Sequence, residues 1–288
     1  MYLYIIATNL NGVKMFNKIL IPTDGTGLED HAIRYSALAF PFAKYHVISV
    51  IQPNVRGAHL TKLLRHMLEE SAEKAISHAE ELLLEEGIDI EKKGILFGTP
   101  SKEILKYAKT EAIDLIVMRS YCKSGVLSYR LGTTIENVLK RTHIPVMIIT
   151  TMVAPREPKK ILLPIGGAHQ DQKSIENVAL NTAKSFLAEL TALYVIEEGK
   201  GPREKSNAEK VLDNVAWKAQ HFEVKVKKVI EQGEPGEVIL KYAESHDLII
   251  MGAGKKGIFK RVVLGPVARK ICAPSPVPII LVRGRHLR

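Results

Sequence analysis

The chain contains the same pattern of sequence twice, and this repeat limits the folds that it can adopt. Residues 114–118 (Asp-Leu-Ile-Val-Met) recur as residues 247–251 (Asp-Leu-Ile-Ile-Met). Three further pairs recur in the same order: 18–22 with 160–164, 104–108 with 239–243, and 144–148 with 277–281. The separation within each pair drifts by only a few residues. The sequence therefore predicts a duplicated domain, so each site residue can be compared with its counterpart in the other half.

The length of 288 residues agrees with two domains, since a domain takes roughly 150 residues. We expect residues 15–152 to form the first domain and residues 159–288 the second. Residues 1–14 precede the first repeat and are interpreted as an N-terminal extension, or as the result of a start assigned upstream of Met15. Pro155, Pro158 and the charges between them predict a short linker at 153–158. A hydrophobic content of 46% lets each half bury a core of its own.

Cysteine usage and hydropathy limit the class of protein. The two cysteines, Cys122 and Cys272, are far apart and lack metal-ligand spacing, which argues against a disulfide scaffold and fits a reducing compartment. No apolar run approaches the roughly 18 residues of a membrane span. Residues 1–7 are apolar but lack a basic start and a cleavage site, so we predict no signal peptide. We expect a cytoplasmic protein with no membrane contact.

The net charge of +10 is distributed unevenly. Residues 1–152 contribute +2, with 18 basic and 16 acidic side chains, and the remaining residues contribute +8, with 23 and 15. This excess indicates either a solvated basic surface or a site for an anion such as phosphate, nucleic acid or acidic lipid. The sequence lacks a nucleic-acid motif and interleaved aromatic residues, so nucleic acid is disfavoured as a partner.

Short apolar runs alternate with longer amphipathic ones in both halves. Strands are predicted at 18–22, 45–51, 94–97, 115–118 and 146–150, and again at 161–164, 190–196, 224–230, 248–251 and 279–282. Helices are predicted at 28–40, 60–86, 101–110 and 134–141, and again at 172–189, 204–222, 236–245 and 267–272. The alternation favours parallel strands with right-handed crossovers. The predicted fold is therefore α/β, with two tandem doubly wound, Rossmann-like domains, each with a five-stranded parallel sheet.

The long helices carry apolar residues at helical spacing. Leu63, Leu64 and Met67 share a face with the later apolar positions of helix 60–86, and Trp217 lies on the apolar face of helix 204–222. This spacing predicts that these side chains pack into the core.

Ligands of doubly wound folds bind beyond the carboxyl ends of the strands, which directs attention to the residues after the first strand of each half. These residues are Pro22, Thr23 and Asp24 in the first half, and Pro164, Ile165 and Gly166 in the second. The Asp24 carboxylate can accept hydrogen bonds from a ribose or a base, or it can serve only as a turn or helix cap. In the second half Gly166 supplies no carboxylate.

The second candidate segment follows the fourth strand. It contains Arg119, Ser120, Cys122, Gly132 and Thr133 in the first half, and Gly252, Ala253, Gly254, Lys255, Gly257, Gly265, Pro266 and Val267 in the second. Thr133 and Glu136 form a capping-box pattern, which predicts a helix start suited to a phosphate, or a cap with no further role. Pro266 removes both the N–H and the hydroxyl, whereas the glycines allow close backbone approach and Lys255 adds charge.

Together these motifs resemble those of the universal stress protein family, in two tandem copies that cover nearly the whole chain. Family members have a first strand that ends in Asp and a later Gly-x2-Gly-x9-Gly-Ser/Thr segment around the phosphates of ATP or AMP. The resemblance implies the adenine-nucleotide alpha-hydrolase-like fold. It places Asp24 at the adenosine end, Val50 and its counterpart Val195 against adenine through their backbone, and Gly132 and Thr133 at phosphate. The implied ligand is ATP or AMP, with Mg²⁺ as a companion ion and no metal site of the protein's own.

Both halves depart from the family pattern. The first half has Arg119 and Cys122 in place of the first two glycines, where a side chain could crowd the phosphate loop or Arg119 could pair with phosphate. The second half has Lys255 for the second glycine, Pro266 for the hydroxyl residue and Gly166 for the Asp. Family members without the full glycine pattern often do not bind ATP, so the resemblance implies two degraded sites.

Three functions remain open on the sequence: a non-enzymatic nucleotide-binding regulator, an interaction module that needs no ligand and acts on an unidentified protein partner, and an enzyme such as a slow ATPase or a nucleotidyl transferase. The chain lacks His-x-Gly-His and Ser-Gly-Gly-x-Asp-Ser motifs, and residues 254–257 (Gly-Lys-Lys-Gly) do not have Walker spacing. No nucleophile–base pair stands out, so an enzyme is disfavoured.

The resemblance also implies how the halves assemble, because the last strand of each family domain pairs across a two-fold axis. Here strands 146–150 and 279–282 can pair within one chain, which covers both edges and makes the chain its own pseudo-dimer. Association of two chains into a homodimer is left open.

Overall fold

The structure is a computed structural model that describes residues 15–27, 29–52, 61–120, 131–149, 156–166, 172–254 and 264–283. The proposed extension at 1–14 and residues 153–155 of the proposed linker lie outside these ranges. The strands are β1 (Lys18–Thr23), β2 (Lys44–Ile51), β3 (Ile90–Phe97), β4 (Leu115–Arg119), β5 (Val146–Ile149), β6 (Lys160–Ile165), β7 (Glu189–Ile196), β8 (Val226–Gln232), β9 (Leu248–Gly252) and β10 (Ile279–Val282). The helices are α1 (Asp30–Ala39), α2 (Lys62–Glu85), α3 (Pro100–Thr110), α4 (Thr133–Leu139), α5 (Gln172–Phe186), α6 (Pro202–Phe222), α7 (Pro235–Ala243) and α8 (Pro266–Cys272).

All ten strands belong to one sheet, in the order β3-β2-β1-β4-β5-β10-β9-β6-β7-β8. Neighbouring strands are parallel within each half, and only the junction between β5 and β10 is antiparallel, with Ile279 opposite Ile148 and Leu281 opposite Val146. The prediction that the two last strands pair within one chain is therefore confirmed. This junction joins two five-stranded sheets into one.

Both faces of the sheet are covered by helices, which explains why its strands are apolar on both sides. Successive residues of β1 point to opposite faces: Ile19 and Ile21 lie in one core cluster and Leu20 in the other. Helices α1, α2, α5 and α6 pack on the first face, and α3, α4, α7 and α8 on the second. The predicted doubly wound α/β fold is confirmed. No helix of the described residues is long and apolar enough to cross a membrane.

The most conspicuous repeated residue, the aspartate before the fourth strand of each half, ties strands together at their starts. The Asp114 carboxylate accepts hydrogen bonds from the backbone N–H groups of Asn17 (2.8 Å) and Lys18 (3.1 Å). Asp247 accepts from those of Lys159 (2.9 Å) and Lys160 (2.8 Å) in the same way. Burial raises the pKa of Asp114 despite these donors. The repeated motif therefore stabilises the fold, at the sheet end opposite the predicted ligand site.

Three expectations about individual side chains were wrong. Thr133 is the first residue of α4 and makes no side-chain capping bond, because Gly132 occupies the cap position and Glu136 pairs instead with Lys140 at 3.1 Å. Trp217 is 59% exposed and contacts His221, with ring centroids 4.6 Å apart and the rings tilted by 59°. Residues Leu63, Leu64 and Met67 are also exposed, because they lie on the solvent side of α2, whereas Arg65 lies over the Phe97 ring of β3, 4.8 Å from its centroid.

A buried histidine on β2 forms an ionic cluster. The ring of His46 is fully buried, with Nδ1 3.1 Å from the Tyr107 hydroxyl and Nε2 2.9 Å from a carboxylate oxygen of Glu91. Lys44 forms an ion pair with the same carboxylate. The hydrogen bonds from Lys44 and then from His46 lower the pKa of Glu91 to about 2 from its ordinary value of 4.5.

We expect this carboxylate to contribute to acid unfolding. A carboxyl group whose pKa is lower in the folded chain stabilises the fold above its unfolded pKa, and this stabilisation is lost as the pH falls through the folded pKa. The variant Glu91→Gln should be less stable than the wild type at neutral pH, and the difference should shrink as the pH falls from 4.5 towards 2. Urea midpoints measured across this range test the prediction, and a difference that does not change with pH would contradict it.

Candidate functional site

The predicted residues of the first half lie at the carboxyl edge of the sheet. Pro22 and Thr23 end β1, Thr23 lies opposite Ser49 of β2, and Val50 is the next residue of β2. The register of β1 with β4, Leu20 opposite Ile116, brings the ends of these strands to the same edge. Asp24 is exposed there, and its Oδ1 accepts a hydrogen bond from the N–H of Thr26 at 3.1 Å. The turn role considered for Asp24 is thus present in the structure.

Glu29 holds the loop after β1 and was missed by the sequence analysis. Its carboxylate is buried and accepts hydrogen bonds from the N–H groups of Asp24 (3.2 Å) and Gly25 (3.1 Å). The hydroxyls of Thr23 and Thr26 donate to the same carboxylate. An anion supplied by the chain itself therefore occupies the donors that this loop would otherwise offer to a ligand.

The remaining residues of the first half follow β4. Arg119 ends the strand half-buried, and Ser120 is buried with its N–H bonded to the carbonyl of Ile149 at 3.1 Å. The Ser120 hydroxyl has no hydrogen-bond partner among the residues that the structure describes. Gly132 and Thr133 are exposed at the start of α4. Cys122 lies outside the described residues.

In the second half the corresponding edge opens into a cavity of about 730 Å³. It lies beyond the ends of β6, β7 and β9 and is closed at the sides by the first turns of α5, α6, α7 and α8. Eight of the residues predicted from the sequence line it: Pro164, Ile165, Gly166, Val195, Gly252, Gly254, Pro266 and Val267. Two do not line it, since Ala253 is buried and Gly265 packs behind Gly254. Lys255 and Gly257 lie outside the described residues.

The glycines of this cavity differ in what they allow. A Cβ on Gly252 would lie 2.9 Å from Cδ1 of Ile175, and one on Gly265 would lie 3.1 Å from the backbone of Gly254. These two positions therefore need glycine for close packing. A Cβ on Gly166 would meet no atom within 4 Å, so a side chain fits at the place of the missing carboxylate.

The lining combines an apolar surface with charged groups at the rim. Ile175, Leu193 and Met251 supply apolar contacts. Lys200 and Arg269 are exposed, and neither forms an ion pair within the described part of the chain. Such a lining suits a ligand with a flat apolar group and an anionic group, because unpaired cations can meet the anion.

Two of the three acidic residues that line the cavity have side-chain partners, whereas Glu197 is exposed and forms no ion pair within the described residues. The Tyr194 hydroxyl donates to the carboxylate of Glu204, which joins the start of α6 to β7. Glu176 is buried, accepts a hydrogen bond from Gln172 at 2.8 Å and forms an ion pair with Lys218. The carboxylates of Glu176 and Glu204 therefore help to shape the wall, and the rim carries both the cations Lys200 and Arg269 and the carboxylate of Glu197.

The residues at the start of α2 differ from their counterparts at the start of α6, and a comparison of the two repeats in the sequence could have shown this. The helices α2 and α6 end in the same way: Ile88 N–H bonds to the Leu83 carbonyl at 2.9 Å, and Val224 N–H to the Ala219 carbonyl at 3.1 Å. Counting back equally from these two carbonyls aligns Leu68 with Glu204, and likewise Leu64 with Lys200. The two positions are therefore apolar in the first half and charged in the second.

Comparisons with known proteins agree with the tandem arrangement. A family model described as the universal stress protein family matches residues 15–150 and again residues 157–283. The universal stress protein MJ0531 of Methanocaldococcus jannaschii is 30% identical over 156 residues, covering 52% of this chain and 88% of that protein. A universal stress protein of Mycolicibacterium smegmatis is 23% identical over 290 residues, covering 93% and 97%. The crystal structure of a universal stress protein from Archaeoglobus fulgidus has the same fold, with a TM-score of 0.75 at 22% identity over 93% of this chain and 98% of that one.

Proposed function

Because the chain belongs to the universal stress protein family through both of its halves, we propose that it is a cytoplasmic, non-enzymatic regulator of the stress response that binds ATP or AMP. In this proposal the nucleotide binds in the cavity of the second half and is not turned over. The first half keeps the fold of a binding domain but does not hold a nucleotide.

The cavity is the observation that carries this proposal. Its volume of about 730 Å³ lies within the range of roughly 300–1,000 Å³ that is common for small-molecule sites. It opens at the sheet edge where doubly wound folds bind ligands. Ile175, Leu193 and Met251 can contact a purine, and Lys200 and Arg269 can contact phosphate oxygens.

The first half is less suited to an anionic ligand. The Glu29 carboxylate uses the backbone donors of the loop after β1. The positions of Lys200 and Glu204 in the second half are occupied by Leu64 and Leu68 in the first. A nucleotide in the first half would therefore face a buried carboxylate and an apolar wall.

Any Mg²⁺ is proposed to arrive with the phosphates of the nucleotide. Within the described ranges, no group of three or more His, Cys, Asp or Glu side chains is arranged to hold a metal ion. A triphosphate supplies oxygen ligands of the kind that Mg²⁺ takes in nucleotide sites.

Calorimetric titration of ATP and of AMP into the pure protein tests the proposal. We expect one saturable site per chain and weaker binding at high salt, because cations contact the phosphates. No heat from either nucleotide at high micromolar protein and ligand concentrations would overturn the proposal. Steady-state ATP hydrolysis that persists through an additional purification step would overturn its non-enzymatic part.

Restoring the missing carboxylate should strengthen binding. We expect Gly166→Asp to bind AMP about tenfold more tightly than the wild type, as one hydrogen bond from a ribose hydroxyl to a carboxylate would provide. The position has room for the side chain and does not have a left-handed backbone conformation. Gly166→Ala is the matched control and should leave the affinity unchanged. Equal affinities for all three proteins would show that this position does not contact the nucleotide.

The alternative function, an interaction module that binds no nucleotide, is favoured by residues that weaken both sites. Gly166 and Pro266 remove a carboxylate and a hydroxyl from the second site, and Glu29 fills a loop of the first. A chain that has lost ligand binding in both halves would act as an interaction module for a protein partner. Nucleotide recovered from the protein as purified, detected by mass spectrometry after denaturation, would exclude this alternative.

A further inference from the structure

A buried ion pair lies in the wall of the second-half cavity. The Glu176 carboxylate of α5 is 1% exposed and pairs with the Lys218 ammonium of α6. The same carboxylate accepts a hydrogen bond from the side-chain amide of Gln172 at 2.8 Å, and both Gln172 and Glu176 line the cavity. Two of the helices that close the cavity are therefore joined by charged groups beside it.

The first half shows that this fold does not need charges at these places. Counting back one residue from the equivalent carbonyls of Leu83 and Ala219 aligns Leu82 with Lys218, and Leu82 is buried in an apolar core. None of the buried residues of α1, the counterpart of α5, is charged. A buried ion pair is often no more stabilising than an apolar contact in its place, because both charges lose their water. The pair in the second half therefore indicates a role other than packing.

The carboxylate of Glu176 determines how the amide of Gln172 is oriented. An ionised carboxylate only accepts hydrogen bonds, whereas a glutamine amide has an NH2 group that donates and a carbonyl oxygen that accepts. The NH2 group of Gln172 is therefore the one that faces Glu176. The ammonium of Lys218 holds the carboxylate in place by a charge-assisted hydrogen bond. The carbonyl oxygen of Gln172, a half-buried side chain, is then the acceptor that this wall can offer to a ligand.

Resting on the nucleotide site proposed above, we propose that Gln172 accepts a hydrogen bond from a ribose hydroxyl, with Glu176 and Lys218 as its positioning residues. At the end of the first strand, the first half carries the carboxylate of Asp24, whereas the second half has Gly166. A side-chain acceptor on α5 thus replaces the acceptor that the strand end lacks. The ligand class of the cavity is accordingly a ribonucleotide and not a deoxyribonucleotide.

The place of Gln172 in the cavity favours the sugar over the base. Helix α5 begins at the carboxyl edge of the sheet and runs back along it, so Gln172 lies roughly 4.5 Å nearer the opening than Ile175. Ile175 belongs to the apolar lining proposed for the purine, and Lys200 and Arg269 at the rim are proposed to contact phosphate. The sugar joins the base to the phosphate, so it passes the level of Gln172.

Calorimetric titration with AMP and with 2′,3′-dideoxy-AMP, which lacks both sugar hydroxyls, tests the proposal. The wild type should bind AMP about tenfold more tightly, as one hydrogen bond provides. Gln172→Met keeps the length of the side chain and removes the amide, so it should bind AMP about tenfold more weakly and dideoxy-AMP unchanged. Gln220→Met, at an exposed position of α6 away from the cavity, is the matched control and should keep the tenfold preference.

The outcomes separate this proposal from the function on which it rests. If neither nucleotide binds to the wild type, the nucleotide site itself is refuted. Equal affinities for AMP and dideoxy-AMP, or a preference that Gln172→Met retains, would overturn the role of Gln172 and leave nucleotide binding intact. Purine riboside monophosphate lacks only the amino group of adenine. A preference for AMP over this analogue that Gln172→Met abolishes would assign the acceptor to the base and refute the sugar contact.

The ion pair is tested by replacing both charges together. Glu176→Leu with Lys218→Leu introduces the residue type that the first half has at Leu82 and leaves no buried charge without its partner. Urea unfolding should show a stability close to that of the wild type, whereas the preference for AMP should fall to about twofold or less, because the amide of Gln172 is no longer oriented. A folded double variant that keeps the full preference would show that the pair only joins two helices. If the double variant does not fold, Gln172→Met decides the proposal, since it leaves the ion pair intact.

Discussion

Replacing Ile280 by aspartate is expected to destabilise both halves of the protein together. Ile280 is fully buried at the centre of β10, between Met147 of β5 and Ile250 of β9. A carboxylate there has no partner, which should reduce the free energy of unfolding by about 4 kcal/mol or more. That is a large share of the roughly 5–15 kcal/mol of a typical domain. Because Ile280 packs on strands of both halves, the loss should reach the first half as well.

Two probes can follow the halves separately during urea unfolding. Trp217 is the only tryptophan of the chain and lies in the second half, so its fluorescence reports that half, whereas far-UV circular dichroism reports both. We expect coincident transitions in the wild type and equally lowered midpoints in Ile280→Asp. The control Ile280→Val should cost only about 0.5–1.5 kcal/mol. In Ile280→Asp, the fluorescence midpoint could fall while half of the dichroism change keeps the wild-type midpoint. That result would show that the halves unfold independently.

Filling the cavity of the second half is expected to abolish nucleotide binding. Val195 lines the cavity near the end of β7, half-buried, and an indole at this position would occupy the space proposed for the base. We expect Val195→Trp to weaken AMP binding at least about 100-fold in calorimetric titration, equivalent to roughly 2.7 kcal/mol. Thermal unfolding followed by circular dichroism would verify that the variant is folded.

The first half supplies the matched control. Val50 occupies the same place in β2 as Val195 in β7 and is half-buried as well. If the nucleotide binds only in the second half, Val50→Trp should leave the AMP affinity within about twofold of the wild type, since sites that share no contacts are independent. The opposite pattern, with binding lost in Val50→Trp and kept in Val195→Trp, would assign the nucleotide to the first half.

The sequence was sufficient for the fold because its signals are local and occur twice. Apolar runs such as 115–118 and 248–251 are buried strands in both halves, and glycine at position 87 ends α2 in a left-handed conformation. The pairing of β5 with β10 was implied by the resemblance to the family, and it covers two sheet edges. The position of the ligand site in the second half, with Pro164 and Gly252, could also be predicted, because parallel strands end at the same edge of the sheet.

Other features depend on the assembled chain and could not be predicted locally. The spacing of Thr133 and Glu136 fits a capping box, but the spacing does not decide whether the threonine precedes the helix or begins it, and Lys140 draws Glu136 away. The role of Glu29 requires the loop after β1 to fold back on its carboxylate. Helical periodicity shows that Leu63 and Met67 share a face, but not that this face is turned to solvent.

The antiparallel junction of β5 and β10 has a consequence for how such a protein can change over evolution. In an assembly of two identical subunits, every substitution appears at both sites at once, so neither site can be altered alone. Here the β5–β10 junction lies inside one polypeptide, so the two domains cannot separate or exchange with those of another chain. The two sites can therefore differ at the same position, as Asp24 of the first half and Gly166 of the second do. Covalent linkage frees one copy to specialise while its twin keeps the shared sheet intact.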